Sequence, residues 1–522
     1  MTLARTWAVA LTGVHGRLVR VEADITDGLP GFAIVGLPDT AVVESRDRAR
    51  AAVLNSGEPW PSRRITLNLS PASVPKRGSA YDLAVAITVL AAAGAVPPDS
   101  LVDLVVIGEL GLDGRVRPVP GVLPIVLAVA HAGLGTVVVP SGNGAEAQLV
   151  DSLEVRTVGS LGELVAGLRG QRWTGPLGYR SGPEPGWGHG AGEPLALPGP
   201  PPDLADVAGQ AVARRALEVA AAGGHHLFLL GPPGVGKTML AERLPGLLPR
   251  LRRDEALEVS AIHSVAGTLP SDRPLVDRAP YASPHHTASV SALVGGGSGL
   301  ARPGACSLAH RGVLFLDEAP EFARPALDGL RQPLESGRVV LSRAQGTVVY
   351  PAMFQLVLAA NPCPCGAAAA ACTCTPDSRR RYLARLSGPL LDRVDLRVEL
   401  GAPSRSELLA DLGVAEPTQL VAARVAEARD RARRALADSG YQTRAGMPGV
   451  QLRRHWRPEP RALVLVEVAL ARGRLTARGA DRVLRVAWTL ADLAGRGRPG
   501  VAEVGEALAL RIGGPVPSHG AA

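Results

Sequence analysis

Lysine is almost missing from this 522-residue chain: Lys76 and Lys237 are the only two, so arginine carries nearly every positive charge. Phenylalanine, tyrosine and tryptophan together make up 3%. Genome composition imposes biases of this kind, so arginine richness is not by itself a sign of nucleic-acid binding. No apolar run is long enough to cross a bilayer: the longest, Leu83 to Val96, falls short of the ~20 residues a spanning helix needs. The segment after Met1 leads into alternating residues instead of a signal-peptide core, which predicts a soluble, cytoplasmic protein with no membrane partner. No short-period repeat interrupts the chain, and Ala367–Ala371 is its one low-complexity tract.

What is present points first to a phosphate-binding loop. Gly231-Pro232-Pro233-Gly234-Val235-Gly236-Lys237-Thr238 follows the apolar run His-Leu-Phe-Leu-Leu, and Met239 continues into a helical pattern. Strand before and helix after is the setting a Walker A loop requires. The glycines let backbone N–H groups approach phosphates, Lys237 reaches the β- and γ-phosphates, and Thr238 offers its hydroxyl to Mg²⁺. Lysine at that one place, in a chain that otherwise uses arginine, fits the need for a compact ammonium.

About eighty residues on, Val313-Leu-Phe-Leu-Asp317-Glu318 is an apolar run ending in two carboxylates. It predicts a buried parallel strand that empties into a crevice at its C-terminal end. There Asp317 can hold the Mg²⁺ shell and Glu318 can polarise an attacking water. A further strand from Phe354 ends at Asn361, placed to sense a γ-phosphate. Gly388-Pro-Leu-Leu-Asp392-Arg393 then offers Arg393 as a finger toward a neighbouring subunit's nucleotide. ATP and Mg²⁺ are the expected cofactors.

Four of the five cysteines cluster as Cys363-Pro-Cys365 and Cys372-Thr-Cys374. In a reducing compartment this favours a structural Zn²⁺ over disulfides. Cys306 stands alone and reads as a small buried residue.

The chain is long enough for several domains. Residues 1–170 alternate strand-like runs (Arg17–Ala23, Ile65–Leu69, Leu104–Ile107, Thr136–Val139) with helical ones (Val42–Asn55, Asp82–Ala93, Leu123–His131), an α/β domain. Residues 171–203 form a Gly/Pro-rich linker. The P-loop core covers 204–401, with a helix expected over Asp206 to Ala222. Residues 402–522 turn helical (Leu420–Ala437, Arg461–Ala471, Ala477–Ala494, Val501–Leu510). That last stretch holds 19 Arg against 12 Asp plus Glu, so +7 of the formal +8 sits there, which is compatible with a nucleic-acid partner.

Together these residues resemble the magnesium chelatase-like branch of the AAA+ ATPases, and within it the YifB/ComM group. Three segments carry the likeness: Pro284-His285-His286-Thr287 with the Gly-rich run after it, Asp317-Glu318-Ala-Pro-Glu321-Phe, and Asn361-Pro-Cys363-Pro-Cys365-Gly. The resemblance implies an AAA+ parallel-sheet core and a C-terminal helical lid. Asn361 becomes sensor 1, Arg393 the arginine finger, and Arg478 the sensor 2 arginine, with Arg482 and Arg485 one and two helical turns further as alternatives. Gly337 to Tyr350 looks like an inserted hairpin facing a ring's pore, which makes Arg343 at its tip a candidate DNA contact.

The first domain resembles the Lon protease fold (ribosomal S5 type 2-like) without its chemistry. Ala80 stands in the nucleophile's place and Leu123 in the lysine's, with Ser79 one position off, so proteolysis is not expected. The YifB/ComM resemblance implies a homo-oligomeric ring, expected to be hexameric, that moves on DNA, a helicase and branch-migration factor for incoming single strands, with recombination proteins as candidate partners. Its rivals are a motor for inserting Mg²⁺ into a porphyrin and an AAA+ protein remodeller or regulator.

Overall fold

A computed structural model describes residues 2–171, 202–297, 301–343, 346–367, 372–410 and 415–513. The linker expected over 171–203 falls almost wholly outside the described residues.

The N-terminal part is built on a seven-stranded sheet. Its spatial order is Gly31–Val35, Arg64–Ser70, His15–Thr26, Thr2–Thr12, Leu104–Val106, Thr136–Pro140, Glu154–Val158. The two longest strands, Thr2–Thr12 and His15–Thr26, pair antiparallel, and the strands from Leu104 onward run parallel to the first. Thr2–Thr12 is not among the strands expected from the sequence. Alternate residues serve opposite faces: Leu104, Val106 and Val138 enter one apolar cluster, while Val105, Val137 and Val139 enter another. Both clusters need covering helices, which is why these strands read as unbroken apolar runs. Asp82–Ala92 is buried throughout, and Val122–His131 covers the second face.

The second sheet has five parallel strands in the order Tyr281–Ala282, Val313–Leu316, Gln355–Ala360, Leu227–Leu230, Leu396–Glu399. Its residues divide the same way. Leu227, Leu229, Val313, Phe315, Val357 and Ala359 face one cluster, and Phe228, Leu314, Leu316, Leu356 and Leu358 the other. The helix before the P-loop strand begins at Ala211, five residues later than the sequence suggests, after a short 3-10 turn over Leu204–Asp206. Gly209 and Gln210 take positive φ there, and that break in the backbone sets the start.

The C-terminal helices Thr418–Ala435, Pro460–Ala471, Ala477–Leu493 and Val501–Ile512 lie close to the expected spans. Thr476 caps the third, accepting from the Gly479 N–H. Their apolar stripes, among them Val425, Val483, Ala487 and Val504, join the cluster that also holds Leu217 and Leu240 of the P-loop core. The helical region and one face of the five-stranded sheet therefore share a continuous core. Among the described residues no helix is long and apolar enough to cross a membrane.

Candidate functional site

The order of the five strands brings the candidate residues together. The P-loop strand Leu227–Leu230 and the acidic strand Val313–Leu316 flank Gln355–Ala360, so the loops leaving all three open at one carboxyl edge. Gly234 and Gly236 in the loop have φ of +78° and +91°, with nothing within 4 Å of where a Cβ would stand. Side chains there would be strained and would fill space that the loop leaves open. Helix Lys237–Leu247 begins at once after Gly236, presenting its N-terminus to the same space.

Lys237 is only 8% exposed. Its ammonium donates to the carbonyls of Gly231 (2.7 Å) and Pro232 (2.8 Å) and to Asn361 Oδ1 (3.0 Å). Burial lowers its pKa, while Asp317 and Glu318 pull it back up. Thr238 Oγ1 donates to Asp317 Oδ2 at 2.8 Å, and the Glu318 N–H donates to Asp317 Oδ1 at 2.9 Å. Glu318 itself faces His286, whose Nδ1 lies 3.3 Å from Glu318 Oε2. The His285 ring lies against that of His286, tilted by 35° with centroids 4.1 Å apart. The sequence marked the two histidines only as part of a motif; the approach of His286 to Glu318 has no signal in spacing.

The arginines sort differently. Arg393 bonds the Pro389 carbonyl and pairs with Glu335, apart from the Lys237 cluster. Burial, then the charges of Arg482, Arg331 and Arg478, hold its pKa below the usual arginine value. Arg482 is committed elsewhere: it donates to Asp395 Oδ1 (2.6 Å) and to the Arg393 carbonyl (3.0 Å). Arg485 donates to the Met447 carbonyl at 2.7 Å. Arg478 is exposed at the start of its helix. Arg343, at the end of its strand beside the hairpin tip, bonds the Gly297 carbonyl in the Gly-rich segment. Residues 344–345 of the tip lie outside the described residues.

The four clustered cysteines converge, their sulfurs all within 4.8 Å of one another. Cys306 is buried away from them.

In the first domain Ser79 donates to Glu109. Lys76, three residues before it, is fully buried, with its ammonium on the carbonyls of Gly36 (2.7 Å) and Pro71 (2.5 Å). Burial lowers its pKa. Ala80 and Leu123 join one apolar cluster with Leu257 and Ala261 of the helix Arg253–Ala266, which belongs to the P-loop part. The backbone N–H of Gly121 donates to the Ser264 carbonyl at 3.0 Å, and Ser264 Oγ donates to Glu146 at 2.5 Å. The segment in the lysine's place is thus packed and hydrogen-bonded against that helix, with the Leu123 N–H also donating to Ser264 Oγ at 3.4 Å.

A parallel sheet with this loop, these carboxylates and an appended helical region defines a P-loop protein of the AAA+ class. The chain matches the family of magnesium chelatase subunit ChlI over residues 203–408, a further ChlI family over 21–143, and the ChlI C-terminal family over 415–511. It is 40% identical to YifB of Escherichia coli over 94% of each chain, and 39% identical to competence protein ComM of Haemophilus influenzae over 98% of each. An uncharacterized Mycobacterium tuberculosis protein is 54% identical over 98% of this chain and 99% of its own. A Lon protease of Mycolicibacterium smegmatis is 30% identical across 30% of this chain and 21% of its own. The chain belongs to the YifB/ComM family of magnesium chelatase-like AAA+ proteins, with Lon-like similarity in its N-terminal part.

Proposed function

We propose that this chain is an ATP-hydrolysing ring motor that acts on DNA. The convergence of Lys237, Asn361, Thr238 and Asp317 at one sheet edge carries the ATPase reading. Lys237 would exchange the Gly231 and Pro232 carbonyls for β- and γ-phosphate oxygens, with the backbone N–H groups of residues 234–239 around them and Gly231, Pro232 and Pro233 shaping the start of the loop. Thr238 and Asp317 hold oxygens 2.8 Å apart, near the ~3.0 Å that separates neighbouring oxygens around Mg²⁺ when the bonds are about 2.1 Å. These two residues would hold the ion, whose charge would offset that developing on the phosphoryl oxygens. Glu318 would orient water and Asn361 would read the γ-phosphate. Arg393 as finger and Arg478 as sensor 2 would complete a site of this kind in a homo-oligomeric ring, expected to be hexameric.

The DNA half of the reading is supported by the printed name of the competence relative. It is also supported by a basic groove of ~410 Å³ in the helical region, lined by Arg454, His455, Arg457 and Arg498 beside Trp488. Helicase and branch-migration activity on incoming strands is the specific form proposed. ATP turnover should rise on adding single-stranded or forked DNA, and binding should weaken steeply with salt as counterions are released. Lys237→Ala should abolish turnover, and Glu318→Gln should bind ATP yet hydrolyse it slowly. No DNA affinity at low salt by the ATP-loaded protein would end the DNA reading. The ChlI family matches favour a second reading, a metal-insertion motor; stimulation by porphyrin with Mg²⁺ in place of DNA would select it.

A further inference from the structure

We propose that Cys363, Cys365, Cys372 and Cys374 bind one Zn²⁺ per chain, and that this ion locks the loop carrying Asn361 against the P-loop. The sulfur of Cys363 lies 3.3 Å from that of Cys365 and 3.4 Å from that of Cys372, and Cys365 lies 3.6 Å from Cys372. A regular tetrahedron of thiolates with Zn–S bonds of about 2.3 Å has edges of ~3.8 Å. A disulfide would bring one pair to about 2.05 Å and leave the others without reason to converge. Thiols are weak donors and weak acceptors, so mutual contacts among four of them hold a loop poorly. Arg379, in the helix Pro376–Leu383 just beyond, places Nη2 3.2 Å from the Cys372 sulfur. It thereby offsets part of the double negative charge of a Zn²⁺ with four thiolates.

The loop matters because of what it touches. Asn361, which receives the Lys237 hydrogen bond, stands two residues before Cys363. Gly366, immediately after Cys365, has φ of +65°, and a Cβ there would lie 3.3 Å from Pro233 Cγ of the P-loop and 4.0 Å from Asn361 Nδ2. The segment between the strand Gln355–Ala360 and the helix Pro376–Leu383 has no helix or strand of its own among its described residues. A metal staple at Cys363 and Cys365 would fix both Asn361 and the Pro233 contact. It would act as a positioning element, outside the reacting atoms.

The site itself stands apart from the ATPase reading; only its effect on turnover rests on that reading. The test is zinc content by elemental analysis of the full-length protein purified without chelators, paired with the spectrum of a Co²⁺-substituted sample. One zinc per chain and a tetrahedral thiolate Co²⁺ spectrum are expected. Cys365→Ser with Cys372→Ser should lose both, Cys374→His should keep the metal as a Cys₃His site, and Cys306→Ser should change neither. The double variant should retain binding of a fluorescent ATP analogue within a fewfold while hydrolysis falls ~10-fold, as when a supporting shell is removed. Cys374→His, folded and metallated, should hydrolyse ATP near the parent rate. Absence of zinc and of Co²⁺ uptake would overturn the site. Unchanged hydrolysis in a metal-free folded variant would overturn the lock. A parent protein that binds zinc but never hydrolyses ATP would overturn the lock and the ATPase reading while leaving the metal site established.

Discussion

Glu318 sits at a φ of +49°, a left-handed conformation that costs a non-glycine residue of order 1 kcal/mol. Its carboxylate turns toward His286. In that position the base proposed for water is held by a neighbour, so hydrolysis would require the pair to part. The two side chains are 33% and 51% exposed, which limits the pair to about 1 kcal/mol. His286→Ala should therefore raise basal ATP turnover, by no more than ~5-fold; an unchanged or lower rate would show that the contact does not restrain Glu318. His263 gives a second residue-level expectation. It is buried between Thr268 Oγ1 (2.9 Å) and the Leu308 carbonyl (3.0 Å), and burial drives its pKa from 6.5 down to about 4. The unfolded chain takes up that proton first, so stability present above pH 6.5 is lost as the pH falls toward 4, by up to ~1.4 kcal/mol per pH unit. His263→Gln should flatten the fall in melting temperature across that window. His226, also lowered to about 4 by burial, would leave some of it in place. A slope unaltered by the substitution would remove His263 from the account.

At the scale of elements, the helix Ala477–Leu493 shows how the helical region is held. Arg444, 1% exposed, donates to both oxygens of Asp492 at 2.7 and 3.1 Å. Its guanidinium lies 4.7 Å from the ring of Trp456 and 4.8 Å from that of Trp488, which meet edge to face at 5.0 Å. Burial raises the Asp492 pKa against the pull of Arg444. Removing one partner of such a pair strands the other, a loss of ~3–5 kcal/mol. Arg444→Ala should speed amide exchange along 477–493 by ~100-fold or more, and adding Asp492→Leu should recover part of that protection. Exchange as slow as in the parent would mean that the apolar core holds this helix without the pair. The hairpin Arg338–Arg343 and Gly346–Pro351 is anchored by Tyr350, whose hydroxyl donates to the Ala301 carbonyl at 2.5 Å. A DNA contact through Arg343 would first have to release Gly297.

For the whole molecule, the joints between parts are specific. Arg482, Asp395, His225 and Thr489 form a hydrogen-bonded chain between the helical region and the sheet, buried except at Arg482, with His225 Nε2 2.7 Å from Thr489 Oγ1. Burial opposes the Asp395 charge, yet the hydrogen bond from His225 and the Arg482 guanidinium outweigh it and keep the carboxyl well below its usual range. At the other end the turn at Gly13 rests on the hairpin near Val348 and Val349, while Arg253 pairs with Asp151 at 2.9 Å. Arg393 has Glu335, a 64% exposed partner, as its ion pair within the chain. If it serves a neighbour, Arg393→Ala should bind ATP and assemble but hydrolyse little. Mixing it with Lys237→Ala protein should restore partial turnover; failure to do so in rings shown to be mixed would count against action across subunits.

The phosphate loop, the Asp317–Glu318 pair and the cysteine pairs were all legible from contiguous residues, because a backbone cradle or a C-x-C ligand pair is a local requirement that the chain must meet within a few positions. The apolar runs of both sheets were legible for a related reason, since strands covered on two faces cannot alternate with polar residues. Contacts across tens or hundreds of residues left no such trace. Nothing in the spacing of Arg478, Arg482 and Arg485 tells which is spent on Asp395 or on Met447 and which stays exposed. Nor does it tell that Arg343 bonds Gly297, that His286 reaches Glu318, or that the Leu123 segment meets the helix Arg253–Ala266. A long side chain's partner is chosen by whatever the packing of distant elements brings within 3 Å, so those roles appear only once the chain is folded.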